Sequence, residues 1–531
     1  MEKSELHCEK IGRAYPSFVI RLTQWGYQNR WIFLTTLLVA VGVHYVIYAN
    51  HLHNPDSLHI GSLYIADQWD FNPTWETEQG RWGLRLVDMM RGGINQAPLS
   101  AFLMLFFYSA AGLLLTRVFV IRSRILRAVI PLLIVCAPYV AEIETYHYCS
   151  AAYSLSFLLS ISAVAFVTCS NGAWGWIPGA VCLLFALSMY QASLGVAAGL
   201  CVMVLVLEAL QKRPWIPLLQ RLLLMGITGS VGYYAVLKIL LKLYDTSLFA
   251  PYSGGLLAIL QGAPQGIANA YQDFVAYFTQ NNTIAQNYYG QRLAYGMLIV
   301  LTIIALARGL IYLRQKASVA VTILLLLLLP AAVNITDVIN ANTHVVLRMA
   351  GALILVVPFC LVLLEKSSAD REKPARWIVI AGGLCCVVLL RGYIVQINND
   401  AMVMLAEKNK IVNLADRICL QLEQNVDYQA GAEVCILGEA QRGWYKDVSP
   451  LSEKASSLVQ DGLFSFDPTF NARGWHSLYW EELGINLNWC SDERTRELCA
   501  TEEFQNLPAY PQEGSIQTID GVVVVKVAEI Q

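Results

Sequence analysis

Long apolar runs are the feature that most constrains how this chain folds. A helix needs about 20 apolar residues to cross the hydrocarbon core of a bilayer, because each backbone N–H and C=O must find its partner within the helix. Of the 531 residues, 56% are apolar and only 14% are charged, a balance that departs from soluble domains. The sequence therefore predicts an all-α polytopic membrane protein with about eleven transmembrane helices, at approximately 31–50, 99–119, 127–141, 153–170, 174–190, 192–210, 222–241, 293–312, 318–333, 345–364 and 377–397.

Lysine and arginine residues predict the orientation, since short cytoplasmic loops retain them. They gather at alternate helix ends, in the N-terminal tail and near 122–127, 212–221, 314–316 and 366–376. The protein is therefore expected in the cytoplasmic (inner) membrane with its N-terminus in the cytoplasm and its C-terminal region outside. The long loops 51–98 and 242–292 are expected on the outer side. About 30 polar and basic residues precede the first run, which is expected to act as an uncleaved anchor.

The chain changes character after residue 397. Three parts are predicted: a cytoplasmic tail 1–30, a transmembrane domain 31–397 and an extracytoplasmic domain 398–531. In the last part, "EVCILG" is typical of a buried strand, and "SIQTIDGVVVVKV" is typical of a hairpin that turns at Asp520-Gly521. One helical face carries four apolar residues, Ile411, Leu414, Ile418 and Leu422. These patterns predict a small C-terminal α/β domain.

Four of the thirteen cysteines lie in this domain: Cys419, Cys435, Cys490 and Cys499. An oxidising compartment permits disulfides, and we expect Cys490 to pair with Cys499; buried free thiols are the alternative. The other nine cysteines show no metal-binding spacing, so no metal and no other cofactor is expected.

The net charge of −2 gives no indication of nucleic-acid binding, and Walker-type, HExxH and GxSxG motifs are absent.

The first outer loop is rich in acidic and aromatic residues. Its stretch "HNPDSLHIGSLYIADQWDFNPTWETEQGRW" places Asp56 at the membrane boundary and Asp67 and Asp70 after it. The following "WETEQGRWGLRLVDMM" predicts an amphipathic surface helix, with one face toward lipid (Trp82, Leu86, Met89) and one toward water (Arg81, Arg85, Asp88). A loop with a carboxylate and an interfacial helix indicates a lid over a site.

Five short motifs follow one another along the chain. They are "HNPDSL" after the first span, "GRW" late in the first outer loop, "CAPYVAEIETYHY" before the fourth span, "LSMYQASLG" at an outer helix end and "NTHVVLRMAG" before a late span. In this order they resemble the bacterial Gtr-type glucosyltransferases that modify O-antigen, which are polytopic enzymes of the GT-C class. The resemblance covers about residues 30 to 400.

This resemblance implies a transfer reaction at the outer membrane face. A sugar, glucose in the family, would pass from a polyprenyl-phosphate carrier to a hydroxyl of a surface glycan, a lipopolysaccharide modification. The implied partners are the polyprenyl-phosphate-linked sugar, the surface glycan acceptor, membrane lipids, a flippase and a polyprenyl-phosphate sugar synthase.

Inverting transfer needs a general base that removes the proton of the acceptor hydroxyl as it attacks the anomeric carbon. Asp56 is the candidate base, although "NPD" departs from the His-Asp or Asp-Asp pair expected in relatives. Asp67 and Asp70 are alternative bases, or supply a second carboxylate. The other interpretation of all three residues is a solvated loop acid.

The leaving group is a lipid phosphate, whose growing negative charge is stabilised by a cation held at membrane depth. Arg348, near the outer start of the tenth span, is the first candidate, since a charge there is costly and more often functional. His344 precedes it by one helical turn. Further candidates are Lys238, Lys242 and Arg81. The alternatives are snorkelling of the lysines and Arg348 to the headgroups, and an ion pair of Arg81 with Glu78.

Polar and aromatic side chains at the outer ends of two other spans are candidates for sugar or acceptor binding: Glu142, Glu144, Tyr146, His147, Tyr190 and Gln191. Helical spacing puts Glu142 and Tyr146 on one face and Glu144 and His147 on another. Carboxylates and amides hydrogen-bond to hydroxyls, and aromatic rings stack on sugar faces. The alternatives are a satisfied helix-end cluster and, for Gln191, packing between helices.

Two other functions fit a chain with this many spans. A multi-span transporter or lipid-linked glycan flippase would carry its polar residues at the bilayer midplane on discontinuous helices, whereas here they cluster at the outer boundary. An outer-face glycan polymerase would have similar loops. A cavity that ends at Asp56 would favour the glycosyltransferase, and a channel across the midplane would favour the transporter.

Overall fold

The computed structural model describes residues 18–66, 74–92, 96–169, 173–249, 255–313, 316–342, 345–369, 376–425, 428–429, 431–438, 452–456, 464 and 467–528. Among these residues, eight helices are long and apolar enough to cross a membrane: Arg30–Ala49, Ala97–Val118, Ser150–Cys169, Ser193–Leu210, Trp215–Leu243, Gln291–Ile311, Leu347–Lys366 and Ile380–Gln424. Arg124–Val135 and Pro138–Thr145 form a further pair bent by 40°. Trp176–Met189 and Ser318–Val333 are shorter apolar helices. Each of the predicted apolar runs is thus helical, and the all-α polytopic fold is confirmed.

The remaining helices of the described part connect these spans or lie in the C-terminal part. They are Phe18–Gln28, Pro55–Ala66, Thr74–Glu78, Leu84–Met90, Gly255–Thr279, Ile335–Ile339, Pro468–Leu478, Asp492–Cys499 and Glu502–Asn506, with a π-helical turn at Tyr479–Leu483. Short 3₁₀ segments are Ala173–Gly175, Leu347–Leu355 and Ser452–Lys454, and the second of these continues as the α-helix Val356–Ala369.

Small residues let the helices approach one another closely at the centre of the bundle. A Cβ atom on Gly112 would lie 2.7 Å from the Cα of Pro131, and one on Gly179 would lie 2.8 Å from the carbonyl oxygen of Ala163. Close backbone approach of this kind is the usual way in which membrane helices associate. The helix Ser150–Cys169 is packed in this way between Ala97–Val118 and Trp176–Met189.

The loop 51–98 differs from the single amphipathic surface helix expected at its end. Its described part contains three helices, Pro55–Ala66, Thr74–Glu78 and Leu84–Met90. The chain reverses between the last two at Gly80, which has φ +74°. Leu86 and Met89 are exposed as predicted, but Arg85 is buried and lies 2.7 Å from the Glu76 carboxylate. The expected orientation of Arg85 toward water is therefore wrong, because its buried partner compensates the charge.

The last span continues without a break into the C-terminal part, as one helix from Arg376 to Gln424. Four strands follow along the chain: β1 (Glu433–Leu437), β2 (Asn488–Trp489), β3 (Ile516–Ile519) and β4 (Val522–Lys526). Their order in the sheet is β2-β1-β4-β3, with β1 parallel to both of its neighbours.

Two local predictions for this part are confirmed. The face formed by Ile411, Leu414, Ile418 and Leu422 is buried, in one apolar cluster with residues of β1 and β4. Strands β3 and β4 form the antiparallel hairpin, and it turns at Asp520 (φ +49°) and Gly521 (φ +81°). Positive φ at both turn residues is what the Asp-Gly pair favours.

Candidate active site

Asp56 lies in the first turn of the helix Pro55–Ala66, and the sequence before it explains where that helix begins. The side chain of Asn54 accepts a hydrogen bond of 2.8 Å from the backbone N–H of Ser57, which is the contact made by a helix N-cap, and Pro55 occupies the favoured first position. The Asn54 amide also donates to the Thr145 hydroxyl at 3.2 Å. This anchors the start of the Asp56 helix to the end of the helix Pro138–Thr145.

The carboxylate of Asp56 is exposed, and it forms no hydrogen bond or ion pair with the described residues. It interacts electrostatically with Arg348 and with the Tyr146 and Tyr148 hydroxyls. With no such partner in the described part of the chain, this exposed carboxylate is a candidate general base.

Arg348 lies near the start of the 3₁₀ segment Leu347–Leu355, and Glu142 contacts both its backbone and its side chain. The backbone N–H of Arg348 donates to Glu142 Oε1 at 3.1 Å, and the guanidinium Nη1 lies 3.8 Å from the same oxygen. The guanidinium carbon is also 5.1 Å from the centre of the Tyr146 ring, a cation–π arrangement. With 32% of its side chain exposed, Arg348 is fixed at its base and accessible at its charged end.

Tyr146 is the point at which these groups meet. Burial raises the pKa of its hydroxyl, Arg348 opposes that increase, and Glu142 and Asp56 add to it. Asp56, Glu142 and Arg348 therefore all act electrostatically on the hydroxyl of one tyrosine, although they come from distant parts of the chain. We call this end of the bundle the site rim.

Arg81 of the "GRW" motif reaches the same rim from the first outer loop. Its Nη1 donates to the Tyr153 hydroxyl at 3.0 Å, and its guanidinium carbon is 5.8 Å from the centre of the Tyr190 ring. The Nε of Arg81 is buried and has no hydrogen-bond partner among the described residues. Glu78 does not pair with it, since the Glu78 carboxylate accepts from the hydroxyl of Thr246.

A stacked pair of tyrosines joins the two arginines. The rings of Tyr153 and Tyr190 are 4.0 Å apart with planes 13° from parallel. The Tyr190 hydroxyl donates to the carbonyl oxygen of Arg348 at 2.9 Å, while Arg81 binds Tyr153. The stack thus links the guanidinium of Arg81 to the backbone of Arg348.

The turn before Arg81 is held by residues from two other helices. Gln191 donates to the carbonyl oxygen of Gln79 at 2.7 Å, and Tyr233 donates to that of Gly80 at 3.0 Å. Gln191 was expected to bind hydroxyls of the sugar, but its amide N–H groups contact the loop and Tyr233. Its position indicates that it orients Arg81.

Two ion pairs lie within this loop, a buried one between Glu76 and Arg85 and a partly exposed one between Asp88 and Arg91. Burial raises the pKa of Glu76 to about 7, and the adjacent Arg85 opposes that increase. Arg91 pairs with Asp88 and donates to the backbone oxygens of His147, at 3.1 Å, and Tyr148, at 2.7 Å. The loop is thereby fixed to the segment that carries Tyr146.

Two other predicted sugar-binding residues are buried in side-chain contacts. Glu144 is fully buried, and its carboxylate is 2.6 Å from Nδ1 of His44 in the first span. His147 is also buried, with its ring 4.4 Å from that of His53. These contacts are structural, and neither residue is presented to a substrate in this arrangement.

The two lysines expected to bind the phosphate are exposed near the end of Trp215–Leu243. Lys238 Nζ lies 5.4 Å from the Tyr234 ring, and no contact within the described part joins Lys238 or Lys242 to Arg348. Three further candidates, Asp67, Asp70 and His344, lie outside the described residues.

The disulfide expected between Cys490 and Cys499 is not formed, since both are free thiols. Cys490 lies two residues before the helix Asp492–Cys499, and Cys499 ends that helix. The helix alone separates Asp492 from Cys499 by about 10 Å along its axis, more than a disulfide spans. The Cys490 thiol lies instead beside Thr495 Oγ1 at 3.2 Å and beside the thiol of Cys435.

Sequence reasoning missed Tyr153 and the role of Asn54. Tyr153 lies in the first turn of the helix Ser150–Cys169, just after the break that carries Tyr146, and its position at a helix end was the available signal. The Asn-Pro pair before Asp56 is likewise an N-cap signature. Within the described residues, no group of three or more His, Cys, Asp or Glu side chains is placed to hold a metal ion.

Comparison with known proteins gives one family. The model described as Glucosyl transferase GtrII matches residues 64–372, which is more than half of the chain. Neither curated proteins nor solved structures gave a match.

Proposed function

Since this chain belongs to the GtrII glucosyltransferase family, we propose that it transfers glucose from a polyprenyl-phosphate carrier to a hydroxyl of a surface glycan such as O-antigen. The observation that carries the proposal is the site rim. An exposed carboxylate, with no hydrogen-bond or ion-pair partner among the described residues, lies within electrostatic reach of Arg348, which is joined to Arg81 through stacked tyrosines.

The reaction follows from the chemistry of these groups. The carboxylate of Asp56 accepts the proton of the acceptor hydroxyl, whose oxygen forms a bond to the anomeric carbon of the sugar. The bond between that carbon and the phosphate oxygen breaks, and its electron pair remains on the phosphate. Asp56 thus acts on the acceptor hydroxyl, and the arginines act on the phosphate leaving group.

Two arginines suit the leaving phosphate better than the exposed lysines do. A guanidinium presents a fixed fork of donors that matches phosphate oxygens, and its hydrogen bonds to an anion are strong. Arg348 is oriented by Glu142, and Arg81 has a buried Nε that no described residue satisfies. A phosphate between them would use this donor and balance both charges.

An apolar cavity supports a lipid-linked donor. It has a volume of about 210 Å³ and opens between membrane helices, lined among others by Phe274, Leu298, Thr302, Pro330, Val356 and Cys360. Val356 lies at the end of the 3₁₀ segment. It is about 16 Å from Arg348 along the helix axis, since a 3₁₀ helix rises about 2.0 Å per residue. An isoprenoid chain in this cavity would have its phosphate near Arg348.

The orientation of the basic residues supports placement of the rim outside the cytoplasm. A carrier loaded in the cytoplasm would then have to be moved across the membrane before transfer. The proposal therefore includes two partner activities, a synthase that loads the polyprenyl phosphate and a flippase.

Reconstituted protein supplied with a labelled polyprenyl-phosphate glucose and the surface glycan tests this function. We expect Asp56→Asn to lower kcat by about 10²- to 10⁴-fold, since it removes a general base. Arg348→Gln is expected to lower kcat by about 10²- to 10³-fold through loss of charge stabilisation. Lys242→Gln is the matched control and should retain activity.

Thermal denaturation of each variant shows whether the fold is kept. Unchanged transfer by a folded Asp56→Asn protein would remove this residue from the base role. A wild type that transfers no sugar from the lipid-linked donor would contradict the proposed reaction itself.

A further inference from the structure

The helix that carries Asp56 is packed against the C-terminal part of the chain. Pro55–Ala66 contacts the helix Pro468–Leu478 along its length. Leu58 belongs to the same buried apolar cluster as Trp475. A Cβ on Gly474 would lie 2.9 Å from the Phe464 ring and 3.7 Å from Leu58, so there is no space between the two helices.

Polar contacts add to this packing just before Asp56. His53 Nε2 lies 3.0 Å from the carboxylate of Glu481. Lys408 Nζ lies 2.7 Å from the carboxylate of Glu482 and donates to the carbonyl oxygen of Asn50 at 2.5 Å. The C-terminal part therefore borders the candidate active site directly.

An aromatic surface lies at this border. His59 follows Asp56 by three residues, which places both on one side of the helix. Burial lowers the pKa of His59, and the Asp56 carboxylate opposes that decrease, which shows that the two side chains interact. The His59 ring is stacked on Phe470, with ring centres 4.4 Å apart and planes 16° from parallel.

Phe470 remains 39% exposed in this stack. The guanidinium carbon of Arg473 is 5.9 Å from its ring centre, and Arg473 is itself oriented by a hydrogen bond of 3.1 Å to Asp492. An exposed ring stacked on a histidine and bordered by a guanidinium group differs from the apolar cavity between the membrane helices. It suits a ligand with both apolar C–H faces and hydroxyl groups.

We propose that Phe470, stacked on His59, binds a sugar ring of the acceptor glycan and holds it beside Asp56. This inference rests on the proposed function and assigns the acceptor to the C-terminal part. The C–H face of a sugar packs on the exposed part of the Phe470 ring, and its hydroxyls face Asp56 and Arg473. A lipid chain is disfavoured here because it would cover the Arg473 guanidinium beside the ring with hydrocarbon.

Affinity for the glycan tests the proposal without requiring transfer. Isothermal titration of the nanodisc-embedded protein with delipidated O-antigen polysaccharide from the source strain compares wild type with two variants. Phe470→Leu keeps an apolar side chain but removes the ring, and we expect its affinity to fall by about 3- to 10-fold. Phe470→Tyr keeps the ring and should bind as wild type does.

Transfer kinetics provide the second measurement. Phe470→Leu should raise the KM for the glycan by the same factor and leave the KM for the lipid-linked donor unchanged. Trp377→Leu is the matched control. Trp377 is 55% exposed and lies at the start of the long helix Arg376–Gln424, at the end away from the C-terminal part.

The outcomes separate this inference from the proposed function. Absence of wild-type binding, equal affinity of wild type and Phe470→Leu, or an equal loss in Phe470→Leu and Phe470→Tyr would overturn the acceptor surface. Glycan binding that depends on the Phe470 ring, in a protein that transfers no sugar from a polyprenyl carrier, would support the surface and reject the proposed reaction.

Discussion

Replacement of Gly80 by alanine tests whether the turn before Arg81 sets the geometry of the site. Gly80 has φ +74°, a conformation that costs a residue with a Cβ about 1–2 kcal/mol. A Cβ there would lie 2.5 Å from the Tyr233 hydroxyl oxygen and 2.8 Å from Nε2 of Gln191. These are the two groups that hold the turn.

The distances set the magnitude of the effect. Non-bonded contact is favourable at about 3.5–4.0 Å, so the Tyr233 oxygen would have to move by about 1 Å. Overpacking of this kind costs about 1–3 kcal/mol, which together with the backbone strain gives about 2–5 kcal/mol of lost stability. A shift of about 1 Å in a group that positions substrate lowers the rate by about 100-fold. We therefore expect Gly80→Ala to lower kcat/KM by about that factor.

Gly92 supplies the matched control. It also has a positive φ, +66°, and no atom of the described residues lies within 4 Å of its Cβ position. Gly92→Ala should therefore lose only the strain energy, seen as a lower Tm, and keep nearly full transfer activity.

A double variant separates the clash from the strain. Tyr233→Phe in the Gly80→Ala background removes the closest clashing atom and should recover about 10-fold of the lost activity, a fraction of the roughly 100-fold loss expected from a 1 Å displacement. Thermal denaturation and transfer kinetics on the three proteins provide the readouts. Equal kcat/KM for Gly80→Ala and Gly92→Ala would refute the argument that this turn positions Arg81.

Two further predictions concern titration and oxidation. Burial raises the pKa of Glu76 from 4.5 to about 7, although Arg85 opposes that increase. Between these two pH values the folded protein keeps a proton on Glu76 that the unfolded chain releases. The free energy of unfolding therefore falls as the pH rises from about 4.5 to about 7. The Tm of wild type should show this decrease and Glu76→Gln should lack it; parallel pH profiles would contradict the assignment. Oxidation by a small disulfide reagent should join Cys490 to Cys435, since Cys490 N–H donates to the residue before Cys435 at 3.1 Å and neighbouring strands are about 4.8 Å apart. Non-reducing peptide mapping that finds Cys490 linked to Cys499 would contradict this.

The sequence was sufficient for the elements whose cause is local. Each apolar run became a helix, because a chain in hydrocarbon has few other ways to satisfy its backbone. The Asp520-Gly521 turn and the buried face that includes Leu414 also followed from short-range rules. Two residues at the rim, Tyr146 and Arg348, were chosen for their position at helix ends, and the structure brings them within 5.1 Å.

Pairings between distant parts of the chain were beyond these rules. Glu144 and Glu142 look equivalent in sequence, yet one pairs with His44 at 2.6 Å and the other contacts Arg348. One hundred residues separate His44 from Glu144, and no periodic pattern relates them. The burial of Arg85 was missed for the same reason, because its compensation by Glu76 depends on a turn at a single glycine.

The eight-residue helix Pro138–Thr145 explains how the candidate base Asp56 and Arg348, the arginine proposed to bind phosphate, keep their relative position. Thr145 accepts from Asn54, the cap of the Asp56 helix, at 3.2 Å, and Glu142 accepts from the backbone of Arg348 at 3.1 Å. One short rigid element therefore fixes both groups. A transporter that alternates its access would need its ligand-binding elements to move against one another, whereas transfer between two bound substrates requires the reacting groups to stay within a fraction of an ångström of one geometry. The shared support thus favours an enzyme, because it restricts the motion that transport would require at this rim.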